Sequence, residues 1–123
     1  MNAADLDKLS EAQLVDRFIA IGMRQYKALD VNDTKTYNPL FWQMDAILKE
    51  LKSRPGDQRR ALLPLFDHPN MQVRLKAAKA TLAVAPAEAR QMLESIAASN
   101  WFPQAGDAGM CLTMLDRGKF VPD

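Results

Sequence analysis

Along most of the chain apolar residues recur at intervals of three and four, the spacing of one helix face, rather than at every second position. Leu14, Val15, Phe18, Gly22, Tyr26 and Leu29 share such a face, with Arg17, Arg24 and Lys27 elsewhere on the same cylinder. Ser10 followed three residues later by Gln13 has the form of a capping box, so a long helix is predicted from there to about Leu29. Residues 30–38 are polar and read as a loop. Pro39 suits the first turn of a helix, which places the second helix from Asn38 to about Ser53. Leu40, Phe41, Met44, Ile47, Leu48 and Leu51 form its core face, and Trp42, Asp45, Lys49 and Lys52 form a separate row.

Arg54-Pro55-Gly56 interrupts this pattern. A shorter helix is predicted over 58–66, with Asp57 as candidate N-cap, Leu62, Leu63, Leu65 and Phe66 as its apolar side, and Pro64 thinning its hydrogen bonding. Asp67-His68-Pro69-Asn70 is turn chemistry. Beyond it, residues 71–84 contain neither Gly nor Pro, and Ala77, Ala78, Ala80 and Ala83 favour helix. Val73, Ala77, Ala80 and Val84 lie on one row, with Leu75, Ala78 and Leu82 beside them. Gln72, Lys76 and Lys79 are predicted to form a polar stripe on the other side. Pro86 opens a fifth helix to about Ser99, Pro103 opens a sixth, and Gly118 is a fitting residue just past its end. Gly106 and Gly109 weaken the sixth helix by roughly 1 kcal/mol each.

The order Leu-Leu-Pro-Leu, then Asp and Pro in the turn, then Val73-Arg74 and an Ala-rich helix resembles one unit of a HEAT-type helical repeat. An offset of thirty residues pairs Leu62-Leu63 with Met92-Leu93, Asn70 with Asn100, Ala78 with Ala108 and Leu82 with Leu112. This period is similar to the compact repeats of bacterial HEAT-like proteins, such as those related to phycobilin lyases. The resemblance covers about half the chain and concerns the fold. It implies a structural contact between Asp67 and Arg74. The expectation is an all-α chain of about six helices in three antiparallel pairs, forming a HEAT-like α-solenoid, or an irregular bundle if the first pair packs differently. Residues 1–123 would be one domain, with the clearest repeat units at about 57–84 and 86–117.

Charge and composition narrow the function classes. With 16 Lys and Arg against 15 Asp and Glu, the net charge is +1, short of the basic excess usual for nucleic-acid binders. No run of eighteen apolar residues exists, so no membrane span is expected. The acidic N-terminal stretch lacks the basic and apolar regions of a signal peptide, and the single Cys111 forms no internal disulfide; both point to the cytoplasm. Asp30, Asn32 and Asp33 are too few for a calcium site and read as a solvated helix end. His68, the sole histidine, sits in a turn, and Cys111 lies in an apolar helical stretch. No metal cluster, cofactor motif or catalytic constellation is visible, and no enzymatic activity is expected.

The expected function is therefore binding to another protein. In a HEAT-like stack the second helix of each pair lines the concave face. The resemblance thus implies a binding surface of Trp42, Asp45, Lys49 and Lys52, then Gln72, Lys76 and Lys79, then Gln104 and Asp107. Four lysines and few acids in the first two rows would steer an acidic partner; the alternative is a solvated face kept for solubility. Short bacterial HEAT-like domains of unknown function are similar, and some serve as accessory or toxin-neutralising partners. Trp101 and Phe102, between the fifth and sixth helices, are candidates for self-association. The alternative function is nucleic-acid binding or removal of alkylated purines. HEAT-like DNA glycosylases do this with aromatic residues and an Asp in a basic groove, which Trp42, Asp45, Lys49 and Lys52 imitate.

Overall fold

The computed structural model describes residues 3–123; the reading of the extreme N-terminus as acidic and leaderless falls partly on Met1 and Asn2, outside the described residues. The chain is all-α. Five α-helices and two 3₁₀ helices follow one another, with no strand among the described residues. They group into two compact units, Met1–Ala61 and Leu62–Asp123.

In the first unit, the 3₁₀ helix Ala3–Lys8 precedes α1 (Glu11–Asp30) and α2 (Thr34–Ser53). The capping box forms as predicted: Ser10 Oγ accepts from Gln13 N at 3.1 Å, and Gln13 Oε1 accepts from Ser10 N at 2.8 Å. The connection to α2 is shorter than the predicted loop over 30–38. Asn32 takes a positive φ of 54°, and Asp33 N and Asn32 N bond back to Ala28 O and Leu29 O, which closes α1 in a Schellman motif. Asp33 then caps α2, accepting from Thr36 N at 3.1 Å and from the Thr36 hydroxyl at 2.6 Å. These bonds hold its carboxyl below the usual carboxylate range. The cap starts α2 four residues before Asn38 and leaves Pro39 inside the helix. Pro39 sits in the second turn, where its missing N–H leaves only one carbonyl of the first turn without a helix partner.

α1 and α2 pack along each other through Leu14, Phe18, Ile21 and Ala28 from one side and Leu40, Met44, Ile47 and Leu51 from the other. The buried stripe of α1 is rotated from the predicted face. Ile21, Gln25 and Ala28 are buried, while Val15, Tyr26 and Leu29 are half-buried. Phe41 is exposed rather than in the core. Arg54 ties the N-terminal 3₁₀ helix to the end of α2. Its Nη2 donates to Leu6 O at 3.1 Å and Leu9 O at 2.6 Å, while its Nε pairs with Glu50 at 2.9 Å.

The segment Gln58–Asp67 is a 3₁₀ helix rather than an α-helix. Pro64 inside it removes an N–H and crowds the preceding turn, which suits the tighter, shorter-range bonding. Asp57, at a positive φ of 53°, accepts from Arg59 N at 3.3 Å and pairs with its guanidinium at 2.7 Å.

In the second unit α3 (Met71–Ala80) begins at Asn70, whose side chain accepts from Gln72 N and Val73 N. It ends four residues before Val84 in a run of turns, where the buried Thr81 hydroxyl bonds the carbonyls of Ala77 and Ala78. α3 packs on α4 (Pro86–Ala97) and α5 (Gln104–Asp116), and Phe66 of the preceding 3₁₀ helix packs against the same core. Leu75, Ala78 and Leu82 meet Ala89, Leu93 and Ile96 of α4 and Ala108 and Cys111 of α5. The expected Asp67–Arg74 contact does not form: Arg74 Nε donates to the carbonyl of His68, and Asp67 is exposed. Gly118, at a φ of 67°, closes α5 with Lys119 N bonded to Met114 O and Gly118 N to Leu115 O.

The two helical glycines of α5 differ. A Cβ on Gly109 would meet nothing within 4 Å, whereas one on Gly106 would lie 3.7 Å from the Phe102 ring. Gly109→Ala is therefore expected to raise stability by about 0.5–1 kcal/mol in urea unfolding. A loss of stability would show that α5 needs the glycine for another reason.

Candidate functional site

Of the row predicted on the second helix, Trp42, Lys49 and Lys52 are exposed and Asp45 is half-buried. Trp42 is 66% exposed and Phe41 41%, their rings edge-to-face with centroids 5.1 Å apart. Lys49 pairs with Asp45 at 2.8 Å, one turn apart on α2, and Lys52 is exposed. An exposed pair of this kind is worth only a few tenths of a kcal/mol and leaves the lysine available to a partner.

Behind Trp42 lies a half-open groove of about 410 Å³ between α1 and α2. Its floor is Ile21 and Ile47 with Ala20 and Ala46, Leu6 of the 3₁₀ helix adds apolar surface, and Arg17, Arg24, Gln43 and Trp42 complete the lining. Among the described residues neither arginine enters an ion pair. Sequence reasoning placed Arg17 and Arg24 merely off the core face. Their spacing of seven, two turns along α1, is the signal that aligns them, but the groove beside them depends on how α2 is seated.

The predicted row on α3 is different. Gln72 is 1% exposed and Lys76 8% exposed, so they are not an open polar stripe. The cause is that α3 is covered on more than one side: Gln104 of α5, equally buried, donates from Nε2 to Gln72 Oε1 at 3.0 Å. Lys79, half-buried, reaches Asp107 of α5 at 3.0 Å. Burial, then the neighbouring Lys79, pushes the Lys76 ammonium down to about 8, with Asp107 opposing. Trp101 and Phe102, at 52% and 68% exposure, project from the turn before α5.

His68 is half-buried, and its Nδ1 accepts from Asn70 N at 3.0 Å, a turn-closing contact. Cys111 is buried and its thiol is pushed up by that burial. Among the described residues no group of three or more His, Cys, Asp or Glu side chains is placed to hold a metal ion. No helix among them is long and apolar enough to cross a membrane.

The chain is similar to the protein RPA1889 from Rhodopseudomonas palustris CGA009, whose crystal structure matches at a TM-score of 0.94 and 55% identity, covering 97% of this chain and 98% of that one. No curated protein matches significantly. Residues 12–116 match the family model described as a domain of unknown function, DUF2019, and the chain belongs to that family.

Proposed function

We propose that this protein is a non-catalytic protein-interaction module of HEAT-like construction, an accessory partner that works by occupying another protein's surface, toxin neutralisation included. The observation that carries the reading is Trp42. A tryptophan two-thirds exposed, braced edge-to-face by Phe41 and set against an apolar groove, is the side chain most often found as an energetic anchor at protein interfaces. Lys49 and Lys52 on the same helix add the positive rim that steers an acidic partner. The HEAT-like part of the proposal draws support from the helical hairpins α1–α2 and α4–α5 and from the Asn70-capped entry to α3.

The test is capture from the source cell's lysate by wild type and by Trp42→Ala, with the bound material treated by nuclease and by protease. Trp42 is exposed, so circular dichroism should show the variant folded. A protein captured by wild type and reduced at least tenfold by Trp42→Ala is the expected result. Recovery of nucleic acid that falls away steeply with salt would favour the basic-groove alternative. A captured protein indifferent to Trp42→Ala would remove Trp42 from the interface.

A further inference from the structure

We infer that the groove between α1 and α2 is a docking site for an acidic segment of the partner protein, one that carries an apolar side chain between two carboxylates. The inference rests on the protein-binding reading above and specifies the partner's chemistry. Three features of the groove select that occupant.

Its floor is apolar: Ile21 and Ile47 are 8% and 2% exposed, and the flanking Ala20 and Ala46 are too small to fill the space above them. Arg17 and Arg24 border this floor, and no acid of the described residues pairs with either. The nearby acids of α2 are engaged elsewhere, Asp45 with Lys49 and Glu50 with Arg54. Two guanidinium groups with no acid partner among the described residues thus border an apolar slot, and the acids of the 3₁₀ helix that supplies Leu6, Asp5 and Asp7, are exposed.

Geometry makes the arginines a matched pair. Seven residues apart on one helix, they are separated by about 10.5 Å along the axis. Two carboxylates reach both when they lie seven apart on one face of a helix. Each guanidinium presents a planar fork that takes a carboxylate in two parallel hydrogen bonds. The side chain between the carboxylates then falls over Ile21 and Ile47, and Trp42 closes on it from the α2 side. The groove is only half enclosed, which favours a segment anchored by one side chain over an enclosed small ligand.

The experiment is selection from a random peptide library displayed on phage, run in parallel against the full chain and against Arg17→Glu/Arg24→Glu. Wild type should enrich sequences with Asp or Glu on both sides of a Leu, Ile, Phe or Met. The charge-reversed variant should lose those sequences and enrich Lys or Arg in their place. Synthetic copies of the enriched peptide should bind wild type at least tenfold more tightly than the variant by fluorescence polarisation. No enrichment, enrichment without acidic bias, or the same sequences recovered by both proteins would overturn the inference. If the lysate partner is lost with Trp42→Ala but retained by Arg17→Glu/Arg24→Glu, the interaction reading stands and the acidic-segment inference fails. If a protein is captured and neither variant affects it, the acidic-segment inference fails and Trp42 is removed from the interface.

Discussion

Leu93→Ala is expected to lower stability by about 2–5 kcal/mol, a large part of the 5–15 kcal/mol typical of a folded domain. Leu93 is fully buried where α3, α4 and α5 meet, among Leu75, Ala78, Ile96, Ala108 and Cys111. Ala78, Ala89 and Ala108 of this core are alanines, and alanine has no rotamer with which to collapse into the space left behind. The loss should therefore fall in the upper half of that range. Urea unfolding in a Trp42→Phe background, where Trp101 alone reports, measures it. A loss below about 1 kcal/mol would mean that the three helices close over the deletion, and that the alanine-rich contact is looser than its burial indicates.

Lys76 carries the second large expectation. Its ammonium lies on α3 at 8% exposure, with Lys79 on the same helix and Asp107 on α5 as the charges acting on it. Its folded-state value is about 8 against an ordinary value of 10.5. Below pH 8 both folded and unfolded chains hold the proton, and folding bears the cost of desolvating the charge. Between about pH 8 and 10.5 the folded chain has released it while the unfolded chain has not. The unfolded state then binds more protons, so stability rises with pH across that window. At 1.36 kcal/mol per unit the rise amounts to about 3 kcal/mol.

Lys76→Met should accordingly be more stable than wild type by about 2–3 kcal/mol at pH 7, and the two should converge by pH 10.5. Urea midpoints for both proteins at several pH values test this. Every other titrating group is common to both proteins, so its contribution cancels in the difference. A destabilised Lys76→Met, or a difference that does not change with pH, would show that the ammonium is stabilised in its site rather than tolerated.

Helix content and several ends were legible in local sequence because they depend on groups only a few residues apart. The Ser10–Gln13 capping box, Pro86 at the head of α4 and Gly118 past the end of α5 all formed as read. The row Trp42, Asp45, Lys49 and Lys52, outside the core, follows from period alone, since α2 buries a single stripe. A reading that gave Pro39 first place at a helix start missed the α1–α2 turn. Asn32 and Asp33 outweigh Pro39 there, one by adopting a positive φ and the other by capping Thr36.

What tertiary packing decided is the environment of polar residues whose local pattern is ambiguous. Gln72 and Lys76 sit on the polar side of an amphipathic helix, and only the placement of α5 turns that side inward. A period of 3.6 tells which residues share a face, but not how many faces a short central helix must bury. Arg54 reads as a breaker next to Pro55 and Gly56, yet it holds Leu6 and Leu9 across more than forty residues of chain. Arg17 and Arg24 are ordinary exposed positions in one dimension. They become a matched pair only because α2 brings Ile47 and Trp42 alongside them. The amino-acid sequence by itself determined an all-helical chain, several of its caps and the row of Trp42, Asp45, Lys49 and Lys52 on α2, because those depend on short-range bonding and period. The groove, the buried lysine and the partners of the long side chains were decided by the tertiary structure, because burial and long-range charge pairing depend on which helices meet.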